Sequence, residues 1–427
     1  MNYLSPLFIF STLCISQAQN PFVFEHKQEF LGYQRYSDVE TGPTSINPNN
    51  TVADLSQNLL SLNLRGDFKA KWGWLEGSWG PRGLINATLS DFNTEARRLG
   101  YFNWELYSQF AKLKTSFGQH LYVIGGRYRT DWGPSTFVNP SNPFVIETGR
   151  VNPKIEAPPR DFIQVNYALD SWELGLIANV GPGEESFFRS PFFTFSRTYA
   201  AILDYYGQSQ NLSFILSGDE SGHRRVAGYG QKSLSNSVVT WVDASLEQGI
   251  HLFIPSQDTS LIRWKMEDDE NRNAELFHAA VAGLSYTTML GPTISMEYYR
   301  NDKGYDQNEA KRYYDMIAGS AAYRFDLLAL LGRRNLGRAI NVGQPFLRRN
   351  YLFFQVGQTD VWSQFDYNVR YIQNLDDGGG QISSVCEWNL ANRWQIFLVG
   401  LLGGGDSHTE FGRFLNGQLM TGFIFRT

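Results

Sequence analysis

Apolar and polar side chains alternate along most of this chain, and that alternation constrains its fold more than any other feature. In the segment 60–72, one set of alternate positions is apolar and the other is polar. The apolar positions are Leu60, Leu62, Leu64, Phe68, Ala70 and Trp72, and the polar positions are Ser61, Asn63, Arg65, Asp67, Lys69 and Lys71. A period of two residues places successive side chains on opposite faces of a strand. The sequence therefore predicts sheets with one apolar and one polar face.

The connections between these segments alternate between short and long. Turns of a few residues are predicted at 116–118, 169–171 and 207–209, and long polar segments lie near 130–160, 249–276 and 301–346. A soluble antiparallel sheet with one wet face explains the alternation, but it does not require every long connection to lie on one side. Transmembrane barrels have short periplasmic turns and long extracellular loops. The predicted fold is all-β: a closed antiparallel transmembrane β-barrel of about 18 strands, with roughly 16 to 20 allowed.

Composition excludes several other classes of protein. Charged residues are 19% of the chain and hydrophobic residues 42%, which is unlike a disordered chain. No apolar run of roughly 18 residues follows the N-terminal segment, which excludes internal transmembrane helices. The net charge of −5 provides no reason to expect a nucleic-acid partner.

The N-terminal residues 1–19 are predicted to be a secretory signal peptide. The segment contains no charged residue, its centre from Leu7 to Ile15 is apolar, and Ser16 and Ala18 place small residues before a cleavage site. A buried N-terminal strand is the alternative interpretation. Cleavage would leave Cys386 as the single cysteine, so no intrachain disulfide is expected. Residues 20–427 are predicted to form one barrel domain.

Six tryptophans lie close to predicted short turns. They are Trp72, Trp74, Trp172, Trp362, Trp388 and Trp394. Amphipathic aromatic rings collect where hydrocarbon meets water, and a packed core would not require tryptophan at strand ends. We therefore predict that these residues form a periplasmic aromatic girdle.

The C-terminal residues carry a resemblance to a known class. Gly422, Phe423 and Phe425 stand just before the end of the chain. This segment resembles the terminal strand of Gram-negative outer-membrane barrels, which is their insertion signal, although Thr427 replaces the usual final aromatic residue. The resemblance implies an outer-membrane location, a lipid bilayer around the barrel, and the barrel-assembly machinery as a partner.

A second resemblance lies in the centre of the first half of the chain. The segment 126–134 ends in Trp132, Gly133 and Pro134, and Asn139-Pro140 and Asn142-Pro143 follow it. It is similar to the strand-then-loop element of porin-like barrels of the alginate-export class. It also resembles the capsule-assembly outer-membrane lectins, which have Trp-Gly-Pro after a basic strand. These resemblances imply a barrel, with a loop corner at these three residues.

The lumen of a wide barrel must be lined by polar residues, and function is expected there. The candidate lumen residues are Arg65, Asp67, Lys69, Lys71, Arg127, Arg129, Asp131, Glu297, Arg349, Asp366 and Arg370. One hypothesis is a mixed-charge, net basic constriction that passes small anionic or sugar-like solutes. The alternative is a ladder of paired charges that stiffens the wall.

Two long loops are predicted to narrow or occlude the lumen. The segment 130–160 is stiffened by six prolines, at positions 134, 140, 143, 153, 158 and 159. The segment 301–346 contains an apolar run from Phe325 to Leu331, which is predicted to be a short helix in the mouth or an additional strand.

The predicted function is a porin-like channel for uptake or export of small polar or anionic solutes. The first alternative is a surface protein that binds polysaccharide by stacking sugars on clustered loop phenylalanines. They are Phe137, Phe144, Phe187, Phe188, Phe192, Phe193 and Phe195. An outer-membrane enzyme is a weaker alternative, with the loop segment Asp219–His223 as its local candidate. No catalytic residue, metal site or cofactor is predicted, because the six histidines have no metal-ligand spacing and no nucleophile motif occurs.

Overall fold

The computed structural model describes residues 22–91, 102–144, 154, 156, 159–183, 195–249, 252–257, 264–268, 275–323, 326–342, 346–406, 408–412 and 415–427. The predicted signal peptide, 1–19, lies outside the described residues and stays a prediction. No helix in these ranges is long and apolar enough to cross a membrane.

Eighteen antiparallel strands form one closed sheet. A separate hairpin, β12 (Phe253–Gln257) and β13 (Trp264–Asp268), and two helices, α1 (Gln307–Ala322) and α2 (Asp326–Ile340), lie in the loops. The barrel strands are β1 (Val23–Val39), β2 (Ser56–Trp72), β3 (Leu75–Asp91), β4 (Phe102–Phe117), β5 (Leu121–Tyr128), β6 (Arg160–Leu169), β7 (Trp172–Gly181), β8 (Thr198–Tyr206), β9 (Gln210–Asp219), β10 (Arg224–Ser233), β11 (Val238–Gln248), β14 (Leu276–Thr287), β15 (Thr293–Asn301), β16 (Asn350–Val361), β17 (Phe365–Asn374), β18 (Gly380–Ala391), β19 (Trp394–Gly404) and β20 (Leu415–Arg426).

The first and last strands close the barrel. β1 pairs with β2 on one side and with β20 on the other, with Leu31 opposite Ile424. Every other barrel strand pairs with its neighbour in chain order once the β12–β13 hairpin is left out. The predicted closed barrel of about 18 strands is therefore confirmed.

The two faces of the barrel wall have opposite character. Leu60 and Leu62 on β2 are 48% and 37% exposed, whereas Ser61 between them is 2% exposed. The same alternation occurs on β6, where Ile163 is exposed outward and Phe162 is buried inward. So large an apolar outer face is unsuited to water and is the lipid-facing band of a transmembrane barrel. The polar face that the sequence predicted for these strands lines the lumen.

Short and long connections segregate to opposite ends, as predicted. Short turns join β2 to β3, β6 to β7 and β18 to β19, and all of them lie at the end that holds the N- and C-terminal residues of the sheet. The long loops at the other end are not wholly irregular. Phe325 lies outside the described residues, but the rest of the apolar run is part of α2, so its helical interpretation is confirmed and the described residues contain no additional strand there.

The extracellular loops pack together into a cap. One buried cluster joins α1 and α2 to residues of several other loops, including Ile46, Leu252 and Met266. Ile46 lies between β1 and β2, and Leu252 follows β11, the eleventh strand of the eighteen in the barrel. These strands are on opposite sides of the ring, so the cap bridges the mouth of the lumen. A capping box between Asp306 and Glu309 begins α1.

Candidate functional site

The loop between β5 and β6 folds into the lumen. Phe137 and Val138 are buried against the inner wall of β14 to β17. The rings of Phe137 and Phe353 stack with centroids 4.6 Å apart. We call residues 129–159 the inward loop. Most of its described residues from 135 to 144 are buried, which agrees with the sequence prediction that this segment narrows the pore.

Two buried carboxylates of the barrel wall hold the inward loop. Glu297 on β15 is 0% exposed. It accepts hydrogen bonds from the Ser135 hydroxyl at 2.6 Å and from the Thr136 amide and hydroxyl at 2.8 and 2.6 Å. Asp243 on β11 accepts from the amide and hydroxyl of Ser141 at 2.7 and 2.8 Å. Hydrogen bonds to a charged acceptor are the strong ones, so this segment is fixed at both ends.

The predicted loop corner makes the turn that brings the loop inward. Gly133 has a φ of +99°, and a Cβ there would meet Asn139 Oδ1 at 2.4 Å and Asp243 Oδ2 at 2.5 Å. A side chain at this position would be strained and would clash. Trp132 packs edge-on against Phe144, with ring centroids 5.4 Å apart. The Trp-Gly-Pro sequence thus supplies both a half-buried aromatic contact and a tight backbone turn.

The far part of the inward loop reaches the opposite wall. The ammonium of Lys154 lies 2.7 Å from a carboxylate oxygen of Glu387 on β18. Arg65 on β2 donates to the carbonyl oxygen of Lys154 at 2.7 Å. Glu156 lies 2.7 Å from Arg82 on β3, which also pairs with Asp67 at 2.9 Å. Because β2 and β3 lie across the ring from β11 and β15, the loop spans the lumen.

A charged cluster ties the inward loop to the cap. Arg225 on β10 donates to the carbonyl oxygen of Asn142 at 3.1 Å and also binds the carboxylate of Glu247. The same carboxylate accepts from Lys303, in the loop that leads to α1. One buried carboxylate therefore joins the loop inside the lumen to the base of the cap outside it.

Seven of the predicted lumen residues lie on the inner face of the wall, but at different depths. They are Arg65, Asp67, Lys69, Lys71, Glu297, Asp366 and Arg370. Asp366 is near a periplasmic turn, where it accepts from the Asp360 amide at 2.6 Å. Arg370 lies further along β17, with its guanidinium 5.7 Å from the ring centroid of Phe137. The structure therefore does not assemble the predicted set into one ring.

Arg127 differs from the prediction, because the structure places it on the outer face. It alternates with Tyr128, whose ring is buried inside, and its cross-strand partners are Ala111 and Asp161. Arg127 Nε lies 2.8 Å from Asp161 Oδ1. The outward pair satisfies both charges near the extracellular ends of their strands, where the lipid headgroups begin.

The three other predicted charges lie towards the extracellular mouth. Arg129 and Asp131 follow the end of β5 and form an ion pair with each other at 2.6 Å. Arg349 donates to the Gly304 carbonyl oxygen at 2.8 Å and lies 3.8 Å from Glu309 of α1. These contacts hold loops together, so they match the paired-charge alternative of the sequence prediction.

Some lumen cations have no ion-pair partner among the described residues. Arg35, Lys69, Lys112 and Lys114 face inward on β1, β2 and β4, and the Nε of Arg35 is buried without a hydrogen bond. Lys114 lies 4.2 Å from the ring centroid of Tyr122. We call these four residues the basic wall. The sequence prediction missed three of them, although Lys112 and Lys114 flank the apolar Leu113 with the parity of an inner face.

The wall across β5 to β9 is rich in hydroxyl and carboxylate groups. Tyr122 donates to Glu173, which also accepts from Asn166, and Ser213 donates to Asp204. These groups satisfy one another with hydrogen bonds. The lumen therefore presents basic residues without partners on one side and internally bonded acidic residues on the other.

The six predicted girdle tryptophans all lie near the short-turn end and are all exposed. Trp172 packs against Tyr205, with ring centroids 4.8 Å apart, and Trp394 packs against Phe425 at 4.8 Å. Their positions suit rings at the membrane interface, and the girdle role stays a prediction. The sequence prediction did not include Trp104, which is exposed at the opposite end of β4.

The alternative sites lack the geometry that they need. His223 Nδ1 lies 2.9 Å from Asp219, but the Ser221 hydroxyl donates to Ser196 at 3.2 Å. Phe137 and Phe144 are buried, so they are not free to stack on sugars, and Phe195 is half-buried. Residues 187, 188, 192 and 193 lie outside the described residues. No group of three or more metal-ligating side chains occurs in the part of the chain that the structure describes.

His223, in the loop between β9 and β10, forms a pH-dependent contact with Asp219. The hydrogen bond to Asp219 raises the pKa of His223 above its usual 6.5. Because the pKa is raised, this contact contributes fully to the stability of the folded state below about pH 6.5. The contribution is lost as the pH rises through the pKa of His223 in the folded state. We expect the protection factors for amide hydrogen exchange in the β9–β10 loop, which correct for the intrinsic pH dependence of exchange, to fall in that range. His223→Gln should remove the pH dependence of these protection factors, and the same profile of protection factors in both proteins would contradict the assignment.

Together, the apolar outer band, the closed wall and the loop folded across the lumen define a transmembrane β-barrel of the outer-membrane type. No family model matches the chain, and no curated protein matches it in sequence.

Solved structures share its fold, and the predicted porin-like barrel is confirmed at that level. The chain is 11% identical to Pseudomonas aeruginosa OccK11 (OpdR), with 94% of this chain and 95% of that chain covered and a TM-score of 0.54. For Acinetobacter baumannii OccAB1 the identity is 10%, the coverage 95% and 96%, and the TM-score 0.55. For Pseudomonas aeruginosa OpdK with vanillate, the identity is 11%, the coverage is 95% of this chain and 98% of that chain, and the TM-score is 0.53. These proteins are outer-membrane porins of the OccK/OprD type.

Proposed function

We propose that the protein is an outer-membrane channel that passes small anionic solutes along a lumen narrowed by the inward loop. The observation that carries this proposal is the basic wall. The carboxylates of Glu297 and Asp243 bind the inward loop. The cations of the basic wall have no such partners among the described residues, so they are left to attract anions.

The comparisons support a channel rather than an enzyme. The barrels with the same fold are porins, and one of them is described with vanillate, a carboxylate. In this chain a carboxylate solute would meet Lys112 and Lys114 on β4, beside the rings of Tyr128 and Tyr122. Ammonium and phenol groups side by side suit a small anion with hydrogen-bonding substituents.

Ion selectivity in planar bilayers tests the proposal. We expect the double variant Lys112→Gln and Lys114→Gln to lower the anion-to-cation permeability ratio by a factor of about 2 to 5, the effect of roughly 1 kcal/mol of lost attraction in a watery pore. Reversal potentials under a KCl gradient measure the ratio.

A matched control comes from the outer face. Arg127→Gln removes one positive charge, as each lysine substitution does by itself, but the side chain points away from the lumen and pairs with Asp161. The variant should therefore leave the ratio unchanged. If the double lysine variant keeps the wild-type ratio, or if Arg127→Gln shifts it equally, the basic wall does not select anions.

Export and insertion belong to the same proposal. Residues 1–19 act as a signal peptide. The barrel-assembly machinery recognises the strand that contains Phe423 and Phe425. The outward position of both rings beside β1 and β19 supports their accessibility to a partner before the barrel closes. N-terminal sequencing of protein from outer membranes should find a start near residue 19 or 20, and a start at Met1 would contradict the signal peptide.

A further inference from the structure

The lipid-facing surface has a groove between β9, β10 and β11. Its volume is about 190 Å³. Gly230 faces outward on β10, and its direct cross-strand partners are Leu212 and Val242, both of which are exposed. Because Gly230 has no side chain, the two apolar neighbours form the walls of a depression in the surface.

The strand register places this groove near the periplasmic boundary of the membrane. Trp172 pairs with Tyr205, Tyr205 pairs with Leu212, and Leu212 pairs with Gly230. The row that contains the groove thus begins with two aromatic residues in contact, of the kind that mark the headgroup region. An acyl chain that entered the groove would carry its headgroup at that level.

A cation stands at the turn end of the groove. Lys232 is exposed on the outer face, two residues nearer to the periplasmic turn than Gly230. It has no ion-pair partner among the described residues, and its cross-strand neighbours Gln210 and Thr240 bring further hydrogen-bonding groups to the same place. A cation at this depth favours a phosphate partner.

We propose that the groove binds one anionic phospholipid of the periplasmic leaflet. The acyl chain lies over Gly230 between Leu212 and Val242, and the phosphate sits on Lys232. A groove left empty in hydrocarbon forfeits dispersion contacts along its lining, and a single acyl chain restores them. The charge at one end fixes which way the lipid lies. A second copy of the chain is the competing occupant, but its matching apolar face would bring a second Lys232 towards the first.

Native mass spectrometry of the full-length detergent-solubilised protein with added phosphatidylglycerol tests this site. Gly230→Leu fills the groove. Its new Cβ meets first the flexible end of the Leu212 side chain, at 2.8 Å, and the Asn211 carbonyl oxygen lies at an ordinary contact distance of 3.8 Å. Lys232→Gln removes the charge. We expect each variant to lower the retained lipid by about tenfold, the loss that corresponds to one contact of roughly 1.4 kcal/mol. Lys232→Arg should retain the lipid.

The control is Ala282→Leu, at an exposed position on β14 outside the groove lining. It should bind lipid as the wild type does, and all variants should show the heat-dependent electrophoretic mobility of a folded barrel. Equal lipid retention by wild type, Gly230→Leu and Lys232→Gln would overturn the proposal. A dimer that Gly230→Leu abolishes, with no lipid bound to the wild type, would overturn it in favour of a second copy.

Discussion

Replacing Glu297 with alanine should widen the channel. The carboxylate accepts three hydrogen bonds from Ser135 and Thr136 at the turn of the inward loop. Hydrogen bonds to charged groups are worth about 1.5–3 kcal/mol each, so the substitution should destabilise the anchored loop by several kcal/mol. We expect a severalfold higher single-channel conductance and faster entry of larger sugars in liposome-swelling assays.

Two further variants grade this effect. Glu297→Gln keeps an acceptor but removes the charge, so its conductance should lie between those of the wild type and Glu297→Ala. Thr136→Val removes one hydroxyl and leaves the Thr136 amide bonded to Glu297, so it should have the smallest effect. Wild-type conductance in Glu297→Ala would mean that the packing of Phe137 and Val138 alone holds the loop.

Substitution of Gly422 should prevent barrel closure. A Cβ at this position would lie 2.2 Å from the Gly32 carbonyl oxygen and 2.6 Å from the Phe397 ring. The clash with Gly32 involves the backbone of β1, which is the partner of β20 across the seam, so it is not relieved by a side-chain rotation. We expect Gly422→Val to abolish the heat-dependent mobility of a folded barrel and Gly422→Ala to reduce it strongly.

The control lies on the same strand. A Cβ at Gly417 would meet first the end of the Leu402 side chain, at 3.2 Å, which is able to shift, so Gly417→Ala should fold normally. Refolding from urea into detergent separates packing from recognition, because no assembly machinery is present. If Gly422→Val refolds there but fails in cells, the glycine is part of the insertion signal and not a packing requirement.

Individual strands were predictable because each carries its own local pattern. The alternating segment 60–72 lies in β2, Ser56–Trp72, and the turn predicted at 207–209 joins β8 to β9. In a half-buried strand, apolar and polar residues alternate with a period of two, whichever strands it pairs with. The helices of the cap were harder to predict, because α1 and α2 are buried by one another and by residues that are distant in the sequence.

The candidate site was less predictable than the fold. Arg127 and Lys112 are both basic residues on neighbouring strands, and only the register shows that one faces out and the other in. The Trp-Gly-Pro corner was recognisable from the sequence, but Asp243, which anchors this part of the loop, was not. Asp243 lies 102 positions along the chain from Ser141, which donates to it. Contacts of that range leave no trace in a local pattern.

The amino-acid sequence alone predicted a barrel of about 18 strands, the alternation of lipid-facing and lumen-facing residues, and the end at which the long loops lie. All three depend on local periodicity and turn residues, which act within a few residues. Only the tertiary structure decided which charges meet in the lumen. The closed ring brings β2 and β3 opposite β11 and β15, and the inward loop crosses between them. Glu297 and Asp243 therefore anchor this loop, whereas the cations of the basic wall have no ion-pair partner among the described residues.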